Sequence, residues 1–140
     1  MEYGVVLGMY VTGGLVCYEF SVDQTMPPDC LVKNIDCGDF LLLSGKDMTL
    51  ITDVDKSVEI ENILLHKNIS YKKKTCMSSV TMYGAGLGKC LVFRVLSILG
   101  ERGIDVYKIS CSDIAISFVV EEKTAEKLKA VLSLEFSFSS

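Results

Sequence analysis

The sequence has no tryptophan, one histidine and two prolines among its 140 residues. The single histidine, His66, leaves too few partners for a zinc site, and none of the six cysteines forms a C-x-x-C pair. No grouping of Ser, His and Asp supports a hydrolase. We therefore predict no metal, no cofactor and no catalytic residue, and we interpret the cysteines as reduced thiols of a cytoplasmic protein.

Basic residues are also few. Lys and Arg total 14 against 18 Asp and Glu, which gives a net charge of -4. A nucleic-acid surface needs Lys and Arg clustered on one face. The one basic run, Lys72-Lys73-Lys74, is interpreted as a solvated strand end or linker rather than a phosphate site. We predict no nucleic-acid partner.

The chain also lacks a long uninterrupted apolar run. Residues 4–17 are mostly apolar, but Gly8, Gly13 and Gly14 divide them into strand-length pieces, and the chain opens with Glu2 rather than with a basic region. A membrane span needs about 20 unbroken apolar residues. We predict neither a signal peptide nor a membrane segment.

The composition that is present is typical of a globular protein, with 49% apolar and 23% charged residues. The length allows one domain or two very small ones. A domain of about 60 to 70 residues is only marginally stable alone and gains from a partner. We therefore expect either intimate pairing of two small domains or oligomerisation.

The first half of the chain is predicted to be rich in β-structure. The runs Gly4–Tyr10 and Leu15–Val22 flank Thr12-Gly13-Gly14, which predicts a hairpin because glycine supplies the positive φ of tight turns. Pro27-Pro28 predicts a loop over residues 23–30. The other predicted elements are a hairpin of Asp39–Leu43 and Met48–Thr52, a helix Ser57–His66 with Ser57 as its N-cap, and a short exposed strand Ile69–Thr75.

The second half shows clearer periodicity, with apolar residues alternating in strands and recurring every three to four residues in helices. The predicted elements are a strand at Val80–Tyr83, a glycine turn Gly84–Gly88, a helix over Leu91–Leu99 that Gly100 or Gly103 ends, strands Ile104–Ser110 and Asp113–Val120, a helix capped by Thr124, and a closing strand Leu134–Phe138. This β-α-β-β-α-β order predicts an α+β, ferredoxin-like fold, an antiparallel sheet with helices on one face.

The glycine turn matches no nucleotide motif. Lys89 stands where a dinucleotide fingerprint needs its third glycine, and Cys90 stands where a P-loop needs Ser or Thr. An acylphosphatase-like enzyme shares the strand order and would use Arg94, but no Asn lies between Val106 and Val120 to position its water. Two interpretations stay open: the glycines only permit a sharp strand-to-helix entry, or the free N–H groups of the helix start hold a carboxylate.

Residues Val80–Phe136 resemble the C-terminal ACT domain of aspartate kinases. Gly84-Ala85-Gly86-Leu87 matches a strand end Gly-x-Gly-Met, and Gly103-Ile104-Asp105 matches Gly-Ile-Asn. The segment Ile109–Ser117 matches the strand pair Ile-Ser-Thr-Ser-Glu-Ile-x-Ile-Ser. At the helix start, Lys89-Cys90 replaces the Pro-Gly pair that is usual in that family.

The resemblance implies tandem ACT domains, because aspartate kinases carry two of them. Residues 39–66 look like the later strands and the second helix of such a unit. We divide the chain into residues 1–75, a divergent or incomplete ACT-like domain, and residues 76–140, an ACT domain. Nothing in the sequence resembles the Lys-Phe-Gly-Gly-Thr-Ser opening of the kinase domain, so we expect the chain not to catalyse phosphoryl transfer by itself.

In that family, paired ACT domains bind lysine or threonine and transmit feedback inhibition to a catalytic domain. The resemblance therefore implies an amino-acid effector, a homodimer formed through the ACT domains, and an aspartate kinase catalytic domain or subunit as partner. The alternative is an ACT dimerisation scaffold that binds no ligand. The positions that the resemblance implies as effector contacts are Leu87, Gly88, Lys89, Cys90, Leu91, Asp105, Val106, Tyr107, Ser112 and Asp113.

Overall fold

The computed structural model describes residues 5–21 and 40–136. Its strands are β1 (Val5–Ser21), β2 (Phe40–Ser44), β3 (Asp47–Asp53), β4 (Tyr71–Ala85), β5 (Lys108–Cys111) and β6 (Ala115–Glu121). Its α-helices are α1 (Ser57–His66), α2 (Lys89–Arg102) and α3 (Glu122–Phe136), and a 3₁₀ turn (Val54–Lys56) precedes α1. No helix in these described ranges is long and apolar enough to cross a membrane.

The chain divides into two compact units. Gly14–Cys76 forms one, called here the middle unit, and Met1–Gly13 together with Met77–Ser140 forms the other, called the flanking unit. The sequence predicts one boundary, after residue 75, whereas the units change after Cys76 and also after Gly13. The second change arises because the long strand β1 contributes its first half to one unit and its second half to the other.

The middle unit has the strand order β2-β3-β1-β4. The hairpin β2-β3 turns at Gly45, whose φ of 63° is left-handed, and β3 pairs antiparallel with the second half of β1. This confirms the predicted hairpin of residues 39–52 and the helix of residues 57–66. The core joins alternate strand residues to the inner side of α1 and consists of Val16, Tyr18, Phe20, Met48, Leu50, Ile60 and Leu64.

The start of α1 differs from the prediction. Ser57 is not the N-cap, because the chain already turns at Asp53, whose side chain accepts a hydrogen bond from the Asp55 N–H at 2.9 Å. The 3₁₀ turn that follows leads directly into the helix. The N-cap of α1 itself is Lys56, whose side chain makes no capping hydrogen bond, so Asp53 caps the 3₁₀ turn rather than the α-helix.

The flanking unit has the strand order β1-β4-β6-β5. β6 pairs antiparallel with both β4 and β5. Helices α2 and α3 cover one face, because the core joins alternate residues of β4 and β6 to both helices: Val80, Met82, Leu91, Val95, Leu99, Ile116, Phe118, Val120, Leu128 and Leu132. Gly103, at φ 65°, ends α2 as predicted. The α+β, ferredoxin-like fold with antiparallel strands is thus confirmed.

Two strand predictions are wrong, and the errors are linked. Thr12-Gly13-Gly14 is not a hairpin, since β1 runs through it and Gly14 takes its φ of 65° inside the strand. The predicted closing strand Leu134–Phe138 is wrong for its first three residues, because Leu134–Phe136 form the end of α3. Residues 137–138 lie outside the described part. The first half of β1 lies beside β4 instead, at the sheet position expected for the predicted closing strand. A glycine at positive φ can bend a strand as well as reverse it.

The other strand boundaries moved by a few residues. β5 begins at Lys108 rather than at Ile104, and β6 begins at Ala115 rather than at Asp113. The exposed strand predicted from Ile69 is the start of the long strand β4. The proline loop predicted at residues 23–30 lies outside the described residues.

Candidate functional site

The glycine turn leads into α2 through one extended residue. Gly86 has a φ of 69°, Leu87 is buried, and Gly88 is extended immediately before the helix. The Gly88 carbonyl accepts hydrogen bonds from the N–H groups of Leu91 (3.0 Å) and Val92 (3.3 Å). No described side chain caps the helix start. The first N–H groups of a helix lack intrahelical acceptors and lie at its positive end, so they favour an anion.

The turn between β5 and β6 is held against this helix start by main-chain hydrogen bonds. The Leu87 N–H donates to the Asp113 carbonyl at 2.8 Å, and the Gly84 N–H donates to the Ile114 carbonyl at 2.9 Å. Asp113 is exposed. The backbone of the exposed Asp113 therefore lies beside the residue that precedes Gly88 and the start of α2.

Ser112 has a structural role in that turn. Its hydroxyl accepts from the N–H groups of Ile114 (3.4 Å) and Ala115 (3.2 Å) and donates to the Ala115 carbonyl (3.2 Å). A hydroxyl has one donor and two acceptor positions. These bonds use all three, which leaves the hydroxyl shaping the turn rather than facing a ligand.

Asp105, Val106 and Tyr107 lie at the other end of β5. The Tyr107 N–H donates to the Val119 carbonyl at 2.8 Å, whereas the far end of β5 pairs Cys111 with Ile116. At about 3.3 Å per residue, Tyr107 and Ser112 are about 16 Å apart along the strand. Val106 packs against the core and Asp105 is exposed.

The predicted contacts therefore fall into two groups. The structure brings together Leu87, Gly88, Leu91, Ser112 and Asp113, with Lys89 and Cys90 in the first turn of α2. It does not bring Asp105, Val106 or Tyr107 to them. Within the group, Leu87 and Leu91 are fully buried in the core, whereas Asp113 is exposed.

A polar cluster in the middle unit was missed by the sequence analysis. The Glu61 carboxylate on α1 accepts hydrogen bonds from the Tyr18 hydroxyl (2.7 Å), the Tyr71 hydroxyl (3.2 Å) and Lys73 Nζ (2.9 Å). The tyrosine rings meet edge to face at 5.5 Å. Tyr71 and Lys73 alternate in β4, a pattern that places them on one face, but only the strand order brings Tyr18 beside them.

The electrostatics of this cluster indicate that it has a structural role. Burial, reinforced by the neighbouring carboxylate, raises the pKa of Tyr18 to about 12. The hydrogen bond from Tyr18, followed by that from Lys73, holds the pKa of Glu61 below its usual 4.5. The tyrosine stays a donor and the glutamate stays an acceptor across the neutral range. The cluster thereby ties α1 to β1 and β4.

Metal chemistry has no candidate among the residues that the structure describes, since no group of three or more His, Cys, Asp or Glu side chains in those ranges could hold an ion. Arg94, the residue that an acylphosphatase-like enzyme would use, pairs with Glu135 on α3. Its guanidinium is thus engaged between two helices.

The chain contains two units of α+β, ferredoxin-like fold, and solved structures share this fold. No family model and no curated protein matches the sequence. One chain of the crystallised aspartokinase α and β subunits superposes with a TM-score of 0.78 at 19% identity, over 96% of this chain and 100% of that one. The ligand-free regulatory subunit of aspartate kinase from Thermus thermophilus has a TM-score of 0.75 at 15% identity, over 94% and 98% of the two chains.

A complete enzyme matches in the same way over part of its length. E. coli aspartokinase III, in complex with lysine and aspartate in its T-state, has a TM-score of 0.71 at 15% identity. The match covers 95% of this chain and 34% of that one. The chain therefore has the fold of the regulatory region of aspartate kinases, as the sequence resemblance implied.

Proposed function

We propose that the chain is an amino-acid-binding regulatory ACT module of an aspartate kinase, and that it binds lysine or threonine for feedback inhibition. One observation carries the proposal: the exposed Asp113 is docked beside the uncapped start of α2 by the 2.8 Å bond from the Leu87 N–H. The shared regulatory fold supports it, as does the lysine bound by E. coli aspartokinase III.

The proposed binding mode uses both ends of an amino acid. The N–H groups in the first turn of α2, from Gly88 to Cys90, receive the α-carboxylate, since a helix start is favourable for anions. Asp113 pairs with an ammonium group of the effector. Asp105, Val106 and Tyr107 are left out of the proposed site because Tyr107 already lies about 16 Å from Ser112 along the strand, and the other two residues precede it.

The proposed module acts on a partner. An effector that binds one arrangement of a regulatory pair better than another shifts the population toward it. The partner that responds is an aspartate kinase catalytic domain or subunit, the proposed assembly is a homodimer formed through the ACT units, and the proposed compartment is the cytoplasm. The exposed thiols of Cys76 and Cys111, which form no disulfide, are compatible with a reducing compartment.

Thermal unfolding with added amino acids tests the proposal. A ligand specific for the folded state stabilises it by about 2.7 kcal/mol at a hundred times its Kd, so lysine or threonine at millimolar concentration is expected to raise Tm by several degrees. The matched control is the amide of the same amino acid. It lacks the α-carboxylate and is expected to give no shift. Equal Tm values with and without every common amino acid would contradict the proposal.

The second candidate is a dimerisation scaffold without a ligand. It is favoured by the Ser112 hydroxyl, whose hydrogen bonds are all made within its own turn, and by Lys89-Cys90 where the family has Pro-Gly. A stable dimer whose Tm does not respond to any amino acid is the result expected for this alternative. The acylphosphatase-like alternative is disfavoured because Arg94 is paired with Glu135.

A further inference from the structure

Strands β1 and β4 each contribute to both units, and each contains one residue with a left-handed backbone at the point where it changes unit. The units change after Gly13 in β1 and after Cys76 in β4. Gly14 has a φ of 65° and Cys76 has a φ of 57°. The other described residues of positive φ lie outside the strands: Gly45, Asn68, Gly86 and Gly103. Inside a described strand, a left-handed backbone therefore marks a change of unit.

Among the described strands, no third strand accompanies β1 and β4 across these positions. β3 pairs with β1 from Leu15 onward, and β6 pairs with β4 from Met77 onward. Each partner strand thus begins to pair one residue after the left-handed residue. A ribbon of two strands is only marginally stable and twists more than a wider sheet. The sheet is therefore least supported by neighbouring strands at Gly14 and Cys76.

The two left-handed residues lie at nearly the same level of the ribbon. A Cβ at Gly8 would lie 2.3 Å from the Tyr83 hydroxyl oxygen, and a Cβ at Gly13 would lie 3.8 Å from the Ser78 Oγ. Between these two contacts β1 advances by five residues while β4 goes back by five, as antiparallel strands do. Continued by one residue, this register brings Gly14 and Cys76 to neighbouring positions on the two strands.

The local surroundings leave the backbone at both residues free to rotate. Cys76 is exposed, and a Cβ at Gly14 would meet no atom within 4 Å. Glycine adopts the left-handed conformation without steric cost, whereas cysteine does so only against a clash of its Cβ with the backbone. Residues held in such unfavourable conformations are concentrated at switch regions. Neither position is fixed by side-chain packing, so the fold tolerates a change of φ and ψ at both.

We propose that Gly14 and Cys76 form a two-strand hinge about which the middle unit and the flanking unit move. Each unit has its own hydrophobic core and moves as one body, while the two residues absorb the change in backbone angles. The hinge gives the chain more than one arrangement of its units, and an effector that prefers one of them shifts the population toward it. That use of the hinge rests on the proposed function, whereas the hinge itself does not.

Residual dipolar couplings of the backbone N–H groups test the hinge in the full, isotope-labelled chain. The couplings are measured in two alignment media, and an alignment tensor is fitted to each unit separately. Units that move about a hinge align to different degrees, so the two tensors are expected to differ in magnitude by more than the fitting error. Tensors of equal magnitude in both media would overturn the inference, because they are the result expected for one rigid body.

A pair of cysteine variants locates the movement. Cys76→Gly widens the backbone range at the hinge and is expected to increase the difference between the two tensors, with Tm unchanged or raised. The matched control is Cys111→Gly, since Cys111 is also an exposed strand cysteine but is not left-handed. It is expected to lower Tm and to leave the tensor difference unchanged.

Two results with these variants would overturn the inference. One is a tensor difference that Cys76→Gly leaves unchanged, and the other is an equal increase in Cys111→Gly. A missing shift of Tm with lysine and threonine contradicts the proposed function but leaves the couplings of the unliganded chain as they are. Failure of the hinge and failure of the proposed function are thus distinguishable.

Discussion

The two units have related folds but are closed by the chain in different ways. The middle unit is built from consecutive residues, Gly14–Cys76, whereas the flanking unit completes its sheet with a strand from the other end of the chain. The middle unit locks its helix with a charged cluster, while the flanking unit leaves the start of α2 uncapped beside Asp113. The middle unit thus ties its helix to two strands through one carboxylate, whereas no described side chain caps the start of α2 in the flanking unit.

The largest expected loss of stability comes from a substitution that disrupts the flanking unit. Gly84→Val places a Cβ where the Val5 carbonyl oxygen lies within 1.9 Å, so β1 and β4 must separate. We expect a loss of about 3 kcal/mol or more in the free energy of unfolding, measured by urea denaturation. The matched control, Gly100→Ala, has open space around its Cβ and is expected to be neutral or stabilising by about 0.5 to 1 kcal/mol. Equal stability of the two variants would contradict the close approach of these strands.

A smaller effect is expected from the cluster in the middle unit. Glu61→Ala leaves the buried Tyr18 hydroxyl and Lys73 without their shared acceptor. The expected cost is about 1 to 3 kcal/mol in the free energy of unfolding. Glu59→Ala, at an exposed position on the same helix, is the control and is expected to stay within about 0.5 kcal/mol. If both variants unfold at the same urea concentration, Glu61 does not lock α1.

The pH dependence of stability tests the contribution of Glu61 to the middle unit. The pKa of Glu61 is lowered on folding, so its contribution is present above the usual value of 4.5 and is lost as the pH falls through the folded-state pKa. The difference in urea midpoint between the unsubstituted chain and Glu61→Gln is expected to be constant from pH 7 to about pH 5 and to shrink at lower pH. A midpoint difference that grows on acidification would contradict a Glu61 pKa that is lowered on folding.

The smallest expected effect concerns the turn of the flanking unit. Ser112→Ala removes three hydrogen bonds within one exposed turn, and we expect a loss of about 1 kcal/mol in the free energy of unfolding. Because the hydroxyl is used within the turn, the Tm shift caused by the effector is expected to persist. Loss of that shift without loss of stability would show that Ser112 contacts the ligand.

The sequence predicted elements whose signal is local. The apolar spacing of Leu91–Leu99 marked α2, and Gly103 marked its end. It misassigned Thr12-Gly13-Gly14 because a glycine at positive φ is compatible with both a turn and a bent strand, and only the pairing partners decide between them. The closing strand at Leu134 failed for the same reason, since the residues that replace it come from the other end of the chain.

The sequence also predicted only part of the arrangement at the candidate site. Asp113 and Leu87 meet because β6 pairs with β4, an order that the resemblance implied. The resemblance implied Asp105 and Tyr107 as effector contacts together with them, but the length of β5 separates these two residues from the Ser112 turn. The Glu61 cluster joins residues 43 positions apart, which no local pattern reveals.

Two aspartates of the flanking unit provide the most direct test of the proposed ligand site. Asp113 lies beside the start of α2, and Asp105 lies at the far end of β5; both are exposed. Tm is measured with lysine and with threonine for the unsubstituted chain, Asp113→Asn and Asp105→Asn. Asp113→Asn is expected to lose the ligand-induced shift, whereas Asp105→Asn is expected to keep it. A shift that survives in Asp113→Asn and disappears in Asp105→Asn would contradict the proposed role of Asp113.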